Sequence, residues 1–83
     1  MPYIKKSARG EIAAGRSPKS PGELNYAITE LIKRYLRENG KNPTGYGDIN
    51  EVVGVLECCK LEFYRRIASP YENQKAEMNG DVY

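Results

Sequence analysis

Ser20-Pro21-Gly22-Glu23-Leu24-Asn25-Tyr26-Ala27-Ile28 decides the fold, and its opening is echoed at Ser69-Pro70-Tyr71-Glu72. In each phrase a serine stands where a helix cap belongs. Proline follows at the first helical position, where its missing N–H is harmless. Glutamate comes third, in reach of the cap's own N–H. Downstream of the first phrase Leu24, Ala27, Ile28, Leu31 and Tyr35 recur at three- and four-residue steps, and Ile32 and Leu36 widen that face. The period is helical, so the spacing predicts a helix over residues 21–38. Glu30 precedes Arg34 by four residues, the favourable order for an ion pair. Lys33, Arg34 and Arg37 sit where cations suit the helix dipole. Asn39-Gly40 ends the helix and Pro43 prevents its resumption.

Residues 40–47 form a short glycine-rich loop. Its length predicts that the helices on either side pack as an antiparallel hairpin. Asp48 is the expected cap of the second helix, answered by Glu51. Ile49, Val52, Val53, Leu56, Cys59, Phe63 and Ile67 are its expected buried stripe. Proline disfavours helical backbone at the residue before it, so this helix should stop or kink before Pro70. A short, mostly polar third helix then runs from Pro70 to about Met78, with Ser69 as its cap. Upstream, Ser7 to Ala14 reads as a weak helical segment capped by Ser7, interrupted by Gly10 and stopped by Gly15.

The resulting fold class is all-α: an antiparallel helical hairpin with a short third helix and an N-terminal arm. The divisions are a basic arm at 1–20, a helical domain at 21–79 and a tail at 80–83. Two or three helices of an 83-residue chain bury little apolar surface. The apolar positions of the first long helix also spread beyond what one hairpin covers. A homo-oligomer follows as an expectation, most simply a four-helix arrangement.

Composition narrows the chemistry. The chain has no histidine and a net charge of +2. Metal binding and acid–base catalysis thus lose their commonest side chain. A dedicated nucleic-acid binder would carry a far stronger positive balance. Lys5, Lys6, Arg9, Arg16 and Lys19 nonetheless make the arm basic. Cys58 and Cys59 are neighbours and cannot close a long loop; they read as reduced thiols used for packing, which points to the cytoplasm. No apolar run is long enough to span a membrane. Gly45-Tyr46-Gly47 precedes a helix but lacks the lysine of a phosphate-binding loop. No nucleophile–base pair can be assembled, so no catalytic residue, cofactor or metal ligand is assigned and no enzyme is expected.

Two features remain. Seven tyrosines stand against one phenylalanine, and tyrosine suits surfaces that are half-buried and keep a polar end. Lys60, Arg65 and Arg66 form a basic cluster beside Tyr64, with Tyr71 just beyond. Such a cluster is most simply a solvated face, or one paired with acids such as Glu30, Glu38 or Glu72. Its functional reading is an anion site in which tyrosines stack on a flat ligand and arginines grip phosphate. Tyr64, Arg65, Arg66, Tyr71 and Lys60 are therefore the candidate ligand-binding residues.

The opening Met1-Pro2-Tyr3-Ile4, the segment Pro21-Gly22-Glu23-Leu24-Asn25-Tyr26, and the closing Lys60-Leu61-Glu62-Phe63-Tyr64-Arg65-Arg66, Pro70-Tyr71-Glu72 and Asn79-Gly80-Asp81-Val82-Tyr83 are similar to a family of small proteins encoded in bacteriophage and prophage genomes. The resemblance spans nearly the whole chain. Gly10 and the glycine-rich residues 45–47 depart from the family pattern. The resemblance implies a setting, the bacterial host cytoplasm, and no activity. Small phage proteins often act by binding. Three expectations follow. The first is a non-catalytic protein that sequesters a nucleotide-like host signalling molecule at a subunit junction. The second is an interaction module that docks on a host or phage enzyme. The third is a weak nucleic-acid binder that uses the basic arm.

Overall fold

The computed structural model describes residues 1–83, and its regular elements are all helical. In chain order they are α1 (Lys6–Ala13), α2 (Pro21–Glu38), α3 (Tyr46–Phe63), a π-helical segment (Tyr64–Ala68) and α4 (Ser69–Asn79). The chain divides into two units, Met1–Asp48 and Ile49–Tyr83.

In the first unit α1 of the N-terminal arm packs against α2. Ser7 does not cap α1. It lies inside the helix, Lys5 occupies the cap position, and no side chain caps that end. Gly15 ends the segment with φ at 110°, a left-handed conformation that glycine adopts without a side-chain clash. At α2 the predicted cap forms: Ser20 Oγ accepts from the Glu23 N–H at 3.1 Å. The return bond lands one residue earlier than a capping box requires. Glu23 Oε1 accepts from the Lys19 N–H at 3.0 Å, not from Ser20. The same carboxylate accepts from Arg16 Nη1 at 2.9 Å. The stretch 15–20, linker by composition, is thereby tied to the head of α2.

The arm covers only one side of α2. Ile4, Ala8, Ile12, Gly22, Tyr26 and Ala27 are half-buried, and the Ile4 side chain reaches to 3.4 Å of where a Cβ on Gly22 would sit. Arg9 donates to the Ile4 carbonyl at 2.9 Å and stands 5.8 Å from the centre of the Tyr26 ring. The other side stays open. Leu24, Ile28, Leu31 and Tyr35 are all exposed, Leu31 by 57%. Asp48 is not the cap of α3 but its third residue, and it reaches back to accept from the Gly45 N–H at 3.0 Å. Lys41 adds an ion pair to Asp48 at 3.2 Å.

The second unit is helical from Ile49 to Asn79: of the stop or kink expected before Pro70, the stop does not occur, and the helix continues through the π-helical segment. Ser69 does not cap α4. Its backbone is helical, with φ −61° and ψ −47°, and its N–H donates to the Tyr64 carbonyl five residues back. That longer step defines the π-helical widening. The reason is Pro70. A proline inside a helix supplies no N–H and its ring collides with the carbonyl four residues earlier. Widening the turn before Pro70 relieves the collision and keeps the helix running. Gly80, at φ 93°, closes α4. The expected buried stripe of α3 has no cover within this unit: Ile49, Val53, Leu56, Phe63 and Ile67 are exposed, from 40% at Leu56 to 66% at Phe63.

Candidate binding surface

The five candidate residues lie on one continuous helix, where the widened turn sets their spacing. Lys60 is in the last turn of α3, Tyr64, Arg65 and Arg66 open the π-helical segment, and Tyr71 lies in the first turn of α4. All five are exposed. Single π turns recur at functional positions because they re-aim side chains off the regular helical grid.

Each basic group already has an acid on its own helix. Lys60 pairs with Glu57 at 2.9 Å, Arg65 with Glu62 at 2.8 Å, and Arg66 with the same Glu62 at 3.6 Å. These partners are one turn away in sequence. The cluster is thus an intrahelical ion-pair ladder on an exposed face. Exposed pairs of this sort contribute little and exchange readily. A phosphate entering here would compete with one shared carboxylate, Glu62.

The tyrosines are likewise engaged separately. The Tyr64 hydroxyl donates to Glu72, the glutamate expected to answer a cap at Ser69. That bond and the nearby negative charge raise the Tyr64 pKa, because both favour the protonated phenol. Tyr71 holds Lys75 at 5.7 Å from its ring centre, a cation–π geometry. Tyr64 and Tyr71 do not form one aromatic slot; each serves a different polar partner.

Apolar surface is the larger feature. On the second unit Ile49, Val53, Leu56, Phe63 and Ile67 continue one stripe, while Val55 and Leu61 are exposed away from it. Gly54 leaves a shallow depression among Asn50, Val55, Cys58 and Cys59. Both thiols are free and exposed. No cluster of three or more metal-ligating side chains forms, and no helix is long and apolar enough to cross a membrane.

One polar cluster was not legible as such in the sequence. Arg16 joins Glu23 at 2.9 Å and approaches Glu11 at 3.6 Å. Hydrogen bonds from Arg16 and then from the Lys19 N–H hold the Glu23 carboxyl below the usual range. The signal was present as an arginine seven residues before a helix-capping glutamate, but its reach depends on how the arm turns at Gly15. The cluster clasps the arm to α2.

No curated protein and no solved structure matches this chain. One family model does, over residues 1–82, and its description is a domain of unknown function. That match takes in the arm, both long helices and α4, so the chain belongs to the DUF6899 family.

Proposed function

We propose that this protein is a non-catalytic binding protein that works as an assembly of copies, its binding surface formed where apolar helix faces meet. The observation that carries the reading is that no residue of the chain is buried. Helices in water owe most of their stability to covering an apolar face. Here the arm covers one side of α2 and leaves Leu24, Ile28, Leu31 and Tyr35 open, and the Ile49–Ile67 stripe has no cover within its unit. A helix apolar on more than one side belongs in the middle of a larger body. A second copy would cover the apolar surface that each unit leaves open. The ion-pair ladder and the tyrosines would then rim the junction, as polar and aromatic groups do at protein interfaces. Light scattering at tens of micromolar tests this directly. A multiple of 9.4 kDa is the expected mass, and a well-folded species of single-chain mass overturns the reading.

A second reading keeps the same junction and gives it a small ligand. The widened turn gathers Tyr64, Arg65 and Arg66, with Lys60 and Tyr71 flanking, and this favours a nucleotide-like anion held by stacking and by arginine–phosphate bonds. In the bacteriophage setting such a ligand would be a host signal; docking on a host enzyme is the alternative use of the same surface. Binding would require Arg65 and Arg66 to exchange Glu62 for phosphate. Calorimetry with cyclic and adenine nucleotides should register heat that Arg65→Ala removes. Absence of heat with every nucleotide leaves protein docking as the use of the surface.

A further inference from the structure

The stripe on the second unit is self-complementary in one direction only. From Ile49 the apolar positions fall at Val52, Leu56, Cys59, Phe63, Ile67 and, past the widened turn, Tyr71. Folded about its middle, the series pairs Leu56 with Phe63, Val52 with Ile67 and Ile49 with Tyr71, leaving Cys59 opposite itself. Each outer layer then joins two side chains bulkier than cysteine, and the central layer joins two small ones.

Charge runs along the same rod with opposite sign in its two halves. Between Tyr46 and Cys59 the charged residues are Asp48, Glu51 and Glu57, all acidic. Between Lys60 and Ile67 they are Lys60, Arg65 and Arg66 against Glu62 alone. Side by side in parallel, acid would face acid and base would face base. Reversed, Asp48, Glu51 and Glu57 run alongside the half that carries Lys60, Arg65 and Arg66, with Glu57 level with Glu62 as the one like-charged crossing. Flanking charges of this kind set the direction of helix pairing. The intrahelical pairs Lys60–Glu57 and Arg65–Glu62 are exposed and weak, so they do not hold these groups from a partner.

We infer that the stripe from Ile49 to Tyr71 is an antiparallel homodimer interface, occupied by the same stripe of a second copy, with the two Cys59 residues meeting at the two-fold axis. The inference rests on the assembly reading above and adds its partner, direction and register. A two-fold axis makes such an interface isologous, so every contact occurs twice except the one on the axis.

The native cysteines supply the test. The full-length protein is sized by light scattering, then oxidised with copper–phenanthroline and run on a non-reducing gel. Cys58→Ser should convert to a disulfide-linked dimer, and Cys59→Ser should stay single-chain. In the unmodified protein, mass-spectrometric mapping of the crosslink should find Cys59 joined to Cys59; this guards against a serine that disturbs packing. An assembled protein that crosslinks only through Cys58, or through neither cysteine, overturns the register while leaving assembly intact. A single-chain mass before oxidation overturns the assembly reading and the register together.

Discussion

At the scale of single residues, Glu23 does more than its place in the sequence announced. It takes a hydrogen bond from Arg16 and another from the Lys19 N–H, and its own N–H goes to Ser20. The two bonds to its carboxylate lower its pKa. A carboxyl whose folded value lies below its unfolded one, about 4.3 for glutamate, contributes stability that is fully present above that unfolded value. The contribution disappears as pH falls through the folded value. Glu30, beside Lys33, and Asp48, with the Gly45 N–H and Lys41, are lowered as well and act in the same sense. Urea midpoints followed by circular dichroism should therefore drop on acidification. Glu23→Gln should remove part of that drop and leave the rest; an unchanged pH profile would mean the clasp does not persist in solution.

Among the elements, the two Ser-Pro-x-Glu phrases make an instructive pair. They are nearly identical as sequence, yet only the first is a cap. What separates them is what comes before. Upstream of Ser20 lies a turn through Gly15, so the chain arrives from outside the helix. Upstream of Ser69 lies Ala68 at the end of a helix already running, and propagating it by one widened turn avoids starting a new nucleus, which is the unfavourable step in helix formation. Local signals thus located α2 and the glycine stop at 40, which depend on a few adjacent residues. They misplaced the caps at Ser7, Asp48 and Ser69, which depend on where the preceding backbone is going. The same limit applies to the candidate site: sequence spacing grouped Tyr64 with Arg65 and Arg66, but only the helix geometry showed that Glu62 and Glu72 already occupy them. Ser20→Ala should destabilise the protein by about 1 kcal/mol, the usual worth of a cap. Ser69→Ala, despite the matching context, should stay within about 0.5 kcal/mol of the parent, because half-buried Ser69 caps nothing and alanine suits a helix interior. Equal losses in thermal or urea denaturation would show that Ser69 caps a helix after all.

For the molecule as a whole, the deciding quantity is greasy surface left uncovered within each unit. An assembly that hides it ties folding to concentration, because copies that bind only the folded form stabilise it by mass action. The thermal midpoint should accordingly rise with protein concentration. Leu56→Glu, which sets a charge into the middle of the stripe, should abolish that rise and return a single-chain mass. A midpoint that stays constant over a wide concentration range, with Leu56→Glu matching the parent, would leave the stripe without a role in association.

The widened turn before Pro70 carries one more consequence, for changes in chain length. A π turn holds one residue more than the α turn it replaces. Deleting a single residue within 64–68 would let the ladder close up as ordinary helix, so the rod would survive the loss. Everything beyond it would keep its facing, because the residue lost is the one the widened turn absorbs; the same deletion in a regular stretch of the helix would turn Tyr71 and Met78 by about 100° away from Phe63. The segment is in effect a slack link: it can give up one residue without turning one half of the rod against the other.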